Sequence, residues 1–418
     1  MYNLNRSFNA KTLQSLKLSC DVGGSITNRA VSINTDKDTA SNHAEFIARE
    51  GFSELSEFQS VGILKTPDEI KLYGEFRVLV ASISQFIEYY VDLLNDELLI
   101  ASYYIVLTWV QDSFQQIPYL RKTGDYGTGK SRFLRVLGSI SYKGTFASGA
   151  STISPIFHLL DTIRGTLILD EADFSESDCK SQITKILNNG FMKGFPVLRS
   201  MPDKNGAFTP RAFHVFGCKI LATRSFFSDN ALESRFISFH PKLGKLRPDI
   251  PITLPPSFEA EAAELRNKLL MFRFRNYEKY RDMQYEVDLE VEPRIKQILQ
   301  PLFCLMQEDP KATNALTRYA QSMQEEISQD RSTQVEARVL TIIRSLWDKK
   351  KGVVTIKEVT SHFQTKYSQE YRRRITYRWI GSIVRKVLGI RTRKTNGLYT
   401  ICDSEADRLS TLYERFNI

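Results

Sequence analysis

The chain has 418 residues, 42% of them hydrophobic, and a formal net charge of +9. That length accommodates two or three domains with sizeable cores, and the positive balance suits an acidic polymer as partner. Five cysteines (Cys20, Cys179, Cys218, Cys304 and Cys402) are scattered without a C-x-x-C pair, and no two histidines stand at metal-ligand spacing. This argues against a disulfide framework and a zinc site and favours a reducing compartment.

Residues 1–60 are polar, rich in Ser, Asn and Thr, and weakly periodic, so a partly disordered segment is expected. Residues 61–116 read as helical: Ile83, Ile87, Val91 and Leu94 recur at helical spacing, and Leu98 to Trp109 follows as a second apolar helix. The stretch Leu98 to Val110 is too short and polar to cross a bilayer, and the N-terminus shows no signal-peptide pattern. A soluble, cytoplasmic protein with no membrane partner is expected.

Residues 117–245 alternate strand and helix patterns, which predicts a parallel sheet. A short strand over 119–123 runs into Gly124-Asp125-Tyr126-Gly127-Thr128-Gly129-Lys130-Ser131, followed by Arg132 and a helix with apolar spacing. This fits G-x-x-x-x-G-K-[ST], in which glycines let backbone N–H groups face phosphate oxygens. Lys130 brings a cation to the β/γ-phosphates, and the Ser131 hydroxyl can ligate Mg²⁺. About forty residues later Thr166-Leu-Ile-Leu-Asp170-Glu171 ends an apolar run in two acids. A buried parallel strand reads as such a run, and its carboxyl end is where open α/β sheets bind ligands. Asp170 would then hold Mg²⁺, and Glu171 would orient and polarise the attacking water. ATP hydrolysis is the expected chemistry. A helix over 178–189, a hairpin about Pro202-Asp-Lys-Asn-Gly206, a buried strand ending at Thr223-Arg224 and Asp229-Asn-Ala-Leu-Glu-Ser-Arg-Phe236 complete the core.

That order of elements resembles the AAA+ P-loop ATPases, most of all the helicase-like branch of viruses and mobile elements and the minichromosome-maintenance helicases. The resemblance covers roughly residues 60–245. It implies that Arg235, in Ser-Arg-Phe, reaches a neighbouring subunit's nucleotide and that Thr223 orients the lytic water, where the family usually has Asn. It also implies a homo-oligomer, by analogy a hexameric ring. A residue-level alternative for Arg235 is an ordinary ion pair, for instance with Glu233, and Arg224 is a weaker candidate for the same work. Related helicases place a DNA-contacting loop at the hairpin, which would make Lys204 and Arg211 contacts to single-stranded DNA.

Residues 246–332 read as a helical lid or linker. From 333 to 402 come a helix, a short strand, two helices (the second over 376–388) and two strands about Asn396-Gly397, an order that resembles a winged helix-turn-helix. Residues 349–394 hold about fourteen Lys or Arg against two acids, a footprint suited to phosphate neutralisation. Arg378, Arg385 and Lys386 would lie on the helix entering a major groove, with Arg391, Arg393 and Lys394 along the wing. Residues 403–418 are left as a C-terminal tail. The combined expectation is an α/β protein with N-terminal helices, an AAA+ core, a helical lid and a winged helix. It would be a DNA helicase or translocase in replication of a plasmid, virus or mobile element. The alternatives are a DNA-binding loader or remodelling ATPase without unwinding, and a regulator switched by nucleotide.

Overall fold

The computed structural model describes residues 50–418 apart from 52–54, 149–152, 171–176, 203–207, 228, 243–245, 282, 284, 351–353, 372–373 and 396. Most of the segment 1–60, along with Glu171 and Lys204, therefore lies outside the described residues. The chain divides into two compact units, 1–317 and 318–418. The expected boundaries at 60/61, 116/117 and 245/246 all fall within the first of these.

The first unit is a mixed α/β structure around a six-stranded sheet. In chain order its strands are β1 (Leu64–Lys65), β2 (Tyr119–Thr123), β3 (Gly144–Ser148), β4 (Leu167–Asp170), β7 (Lys219–Thr223) and β8 (Phe236–Phe239). They stand side by side as β1-β3-β4-β7-β2-β8. Every pairing is parallel except β1 against β3. All five residues of β2 and of β7 are buried, as expected for central strands covered on both faces. The two-residue strand β1 is too short for a periodic signal, so the sequence reading treated its neighbourhood as helical.

Helices α1 (Ser56–Ser60), α2 (Phe76–Tyr90) and α3 (Asn95–Val110) precede β2. Ile100 to Val110 are all buried, which makes α3 a core element rather than a surface helix. Its Tyr104 hydroxyl donates to the Pro118 and Lys219 carbonyls at 3.0 and 3.1 Å, and Trp109 Nε1 donates to Ile140 O at 3.0 Å. After β2 come α4 (Lys130–Ile140), α5 (Ile153–Ile163) behind β3 and α6 (Ser177–Asn189) behind β4. The predicted hairpin is present as β5 (Val197–Pro202) paired antiparallel with β6 (Phe208–Phe213). A short helix α7 (Asn230–Glu233) leads into β8, and α8 (Phe258–Arg281) and α9 (Pro293–Met306) follow. Helix α10 (Pro310–Thr333) spans the division between the units.

One buried cation in this sheet sets a pH dependence. Lys219, fully buried on β7, donates to Val215 O and Gly217 O at 2.8 Å and to Gly190 O at 3.4 Å. Burial lowers its pKa from 10.5 to about 7. Between those values the unfolded chain binds more protons, so stability from this group rises with pH across that window. The wild type should gain roughly 3 kcal/mol relative to Lys219→Met between pH 7 and pH 10, read from urea midpoints at both pH values.

The second unit contains α11 (Val335–Lys350), α12 (Ile356–Tyr367), α13 (Tyr377–Ser382) and a three-stranded antiparallel sheet. That sheet is ordered β10-β11-β9, with β9 at Val354–Thr355, β10 at Thr392–Thr395 and β11 at Leu398–Ile401. Thr355 starts α12 through a capping box with Glu358, and Thr376 Oγ1 caps α13 by accepting from Trp379 N. Two features differ from the sequence reading. The helix expected over 376–388 changes at Ile383–Val387 into a π turn, closed by Leu388 N to Ile383 O at 2.9 Å. The wider turn keeps Ile383, Val384 and Leu388 buried in the unit's core. The expected tail instead carries α14 (Ala406–Phe416), which buries Leu409, Leu412 and Phe416 in the same core. Their spacing is helical, and only the receiving core identifies the segment as structured.

Candidate functional site

The phosphate-type loop lies at the carboxyl end of β2, between β7 and β8. Gly124, Gly127 and Gly129 have φ of 137°, 75° and 79°, in the left-handed range that glycine adopts without strain. A Cβ on Gly124 would stand 2.7 Å from Thr128 Oγ1. Gly129 caps α4, so the helix starts at Lys130 and its positive end faces the loop. Lys130 Nζ donates to Gly124 O and Asp125 O, both at 2.6 Å, and Thr128 Oγ1 donates to Asp125 O at 2.8 Å. The ammonium thus crosses the mouth of the loop and must exchange carbonyl oxygens for any phosphate oxygen that enters. Tyr126 is exposed at the tip, with the Arg224 guanidinium 4.0 Å from its ring centre. Arg132 turns away to the Pro251 and Ile252 carbonyls at 3.1 and 2.6 Å, so its side chain serves a neighbouring loop rather than the phosphate cradle.

Strand register brings the other predicted groups to the same end of the sheet. Thr223 pairs with Thr123, and Gly124 N donates to Thr223 O at 3.2 Å. The Thr223 hydroxyl is buried without a hydrogen-bond partner. Such a group costs about 1–3 kcal/mol until it acquires one. Asp170 ends β4, in register with Ser148 on β3. Ser131 and Asp170 line one cavity of about 370 Å³, with Lys65, Arg135, Phe146 and Glu259 around it. A hydroxyl and a single carboxylate suit Mg²⁺, which keeps several waters and uses few protein ligands. Among the described residues no cluster of three or more His, Cys, Asp or Glu could hold a metal alone.

Arg235 is at the opposite end. Its carbonyl accepts from Tyr119 N, at the start of β2, while the loop follows the end of that strand. At ~3.3 Å per residue the five steps from Tyr119 to Gly124 span about 16 Å, more than an arginine side chain reaches. The Arg235 guanidinium lies 4.2 Å from the Phe191 ring centre and its Nη1 donates to Asn188 Oδ1. Arg235 Nε is buried with no hydrogen-bond partner. Burial lowers the Arg235 pKa, and burial followed by the Arg235 charge lowers that of Arg294. Arg294, from α9, lies 4.8 Å from the same ring and bonds Ser234 Oγ and Gln297 Oε1 at 3.4 and 2.9 Å. The sequence reading missed Arg294, which sits in no motif. Glu233 is not the partner of Arg235: Arg121 holds it by two hydrogen bonds of 2.9 and 2.6 Å.

On the hairpin, Arg211 is exposed and Lys204 lies outside the described residues. Arg211 folds back toward Asp161 at 3.5 Å and over the Phe213 ring. The hairpin also exposes apolar side chains, Leu198 at 69% and Phe208 at 74%. In the second unit, Arg378, Lys386, Arg393 and Lys394 are exposed, and Arg391 keeps 82% of its side chain exposed despite Glu405 at 3.9 Å. Arg385 is exposed with its guanidinium 4.9 Å from the Tyr399 ring centre.

The chain is thus a mixed α/β protein whose parallel sheet carries a G-x-x-x-x-G-K-S loop and a terminal aspartate at one end. Neither a family model nor a curated protein sequence matches it. Among solved structures it is similar to the apo C-terminal region of NrS-1, with 12% identity over 81% of this chain and 78% of that one, at TM-score 0.38. It is similar to the SCCmec type IV Cch active helicase, at 12% identity over 81% and 72% of the two chains and TM-score 0.35. It is also similar to the Aeropyrum pernix ORC1 protein in complex with DNA, at 12% identity over 80% and 96% and TM-score 0.23. These likenesses are remote. Among the described residues no helix is long and apolar enough to cross a membrane.

Proposed function

We propose that the chain is an ATP hydrolase of the AAA+ type that acts on DNA as a ring of identical subunits, and that it translocates along or unwinds DNA. The observation that carries the reading is that Lys130 and Ser131 follow β2 while Asp170 and Thr223 end β4 and β7, at the carboxyl end of one parallel sheet. Ligands of open α/β sheets bind there.

In this reading the N–H groups of 124–131 and Lys130 bind the triphosphate. Ser131 and Asp170 hold Mg²⁺, which when bound neutralises charge on the β/γ-phosphates. Glu171, next in sequence to Asp170, polarises the water, and the buried Thr223 hydroxyl orients it. Arg235 cannot serve its own loop across the length of β2, which supports donation to a neighbouring copy. A ring satisfies that requirement, with six subunits by analogy.

The second unit is taken as a winged helix-turn-helix, because α11, α12, α13 and the three-stranded sheet come in that fold's order, with exposed Arg378, Arg385 and Lys386 on α13 and the π turn after it, Arg391 just before β10, and Arg393 and Lys394 on β10. These contacts position a protein on phosphates without specifying sequence. Replication of a mobile element, plasmid or virus remains part of the proposal through the family resemblance alone.

The test is ATP turnover of the full chain with no polymer, single-stranded DNA or duplex DNA across a salt series. Strong, salt-sensitive stimulation by single strands is expected. Turnover indifferent to DNA would sink the translocase reading and favour a remodeller acting on protein.

A further inference from the structure

We infer that Asn188 is a positioning residue for Arg235, through which helix α6 links the carboxylates of one site to the arginine supplied to the next. The inference rests on the proposal that Arg235 acts on a neighbouring copy's nucleotide.

Helix α6 starts at Ser177, seven residues after Asp170, and ends at Asn189. Its 13 residues span about 20 Å, so it crosses from the carboxylate end of the sheet toward the Arg235 end. At its last turn the Asn188 amide makes two contacts. Its Oδ1 accepts from Arg235 Nη1, and its Nδ2 donates to Asp229 Oδ2 at 3.0 Å. Only this orientation of the amide satisfies both partners, because a guanidinium cannot accept and an ionised carboxylate cannot donate.

Asp229 in turn caps α7 through Oδ1, which accepts from Ala231 N and Leu232 N at 2.9 and 3.3 Å. One side chain therefore governs the direction of the guanidinium and anchors the cap of the helix leading to it. Phe191, two residues beyond α6, supplies the ring against which the guanidinium lies. Asn188 occupies Nη1 and leaves Nε without a hydrogen-bond partner. The guanidinium is thus held between the Asn188 amide and the Phe191 ring.

The experiment uses full-length Asn188→Ala and Asn188→Leu, the latter close in volume and unable to hydrogen-bond. Each is assayed alone and mixed with Lys130→Ala or Arg235→Ala subunits, with ATP turnover, KM and thermal melting recorded. Misplacing a catalytic group by about 1 Å costs on the order of 10²-fold, so kcat should fall roughly 10- to 100-fold with KM unchanged. Mixing with Lys130→Ala should restore turnover, because the variant keeps its own phosphate loop and borrows an intact arginine. Mixing with Arg235→Ala should restore nothing.

Wild-type turnover in both folded variants would overturn the inference. So would recovery with Arg235→Ala instead of Lys130→Ala, which would place the defect in the variant's own site. The control mixture of Arg235→Ala with Lys130→Ala separates the two levels. If it recovers and Asn188→Ala with Lys130→Ala does not, only the role of Asn188 fails. If it does not recover in verified mixed assemblies, the trans reading fails and the inference with it.

Discussion

Arg235→Ala should lower ATP turnover by about 10³-fold or more while leaving nucleotide affinity unchanged. Phosphoryl transfer needs charge stabilisation at the γ-phosphate, and an arginine aimed there supplies about 10³–10⁵ in rate, or roughly 4–7 kcal/mol. Ground-state binding is left to the loop and Lys130, at the other end of β2. The loss should therefore appear in single-turnover rates and not in the dissociation constant. Arg235→Lys should rescue little, because an ammonium lacks the planar fork. An Arg235 that merely packs on Phe191 would instead give melting shifts with turnover close to wild type, and that result would remove it from the mechanism.

The largest stability effect is expected at Arg121. This guanidinium, 1% exposed in the middle of β2, makes its two bonds to Glu233 and further bonds to Ser238 Oγ at 3.1 and 2.8 Å. The Phe226 and Phe236 rings lie 4.9 and 4.6 Å away, and Glu233 also accepts from Phe227 N. Removing one partner of a buried pair leaves the other charge uncompensated and costs about 3–5 kcal/mol. Arg121→Met should show that loss in urea unfolding. Arg121→Met combined with Glu233→Gln should recover much of it, since the double change removes both charges. Additive losses would mean that the two residues act independently.

Much of the candidate site was legible in order along the chain. Strand β2, the loop and the start of α4 at Lys130 agree with the reading of 119–137, because buried strands and glycine-dependent turns leave local signatures. The apolar run ending at Asp170 was legible for the same reason. Other features were not. β1 has two residues and therefore no period, and α14 looks like a tail until the second unit's core is present to bury Leu409, Leu412 and Phe416.

The sequence by itself determined which chemical groups are present and which local conformations hold them, since phosphate-loop glycines, buried strands and helical spacing depend on neighbours close in the chain. Only the tertiary structure decided the partners of the charged groups. Arg121 and Glu233 are 112 positions apart, and Arg235 meets Asn188 and Phe191 at the far end of the strand that leads to the loop. The physical reason is that a charge buried by the packing of several elements takes whatever partner those elements bring within hydrogen-bonding distance. That choice depends on strand order and register, and no pattern along the chain encodes it.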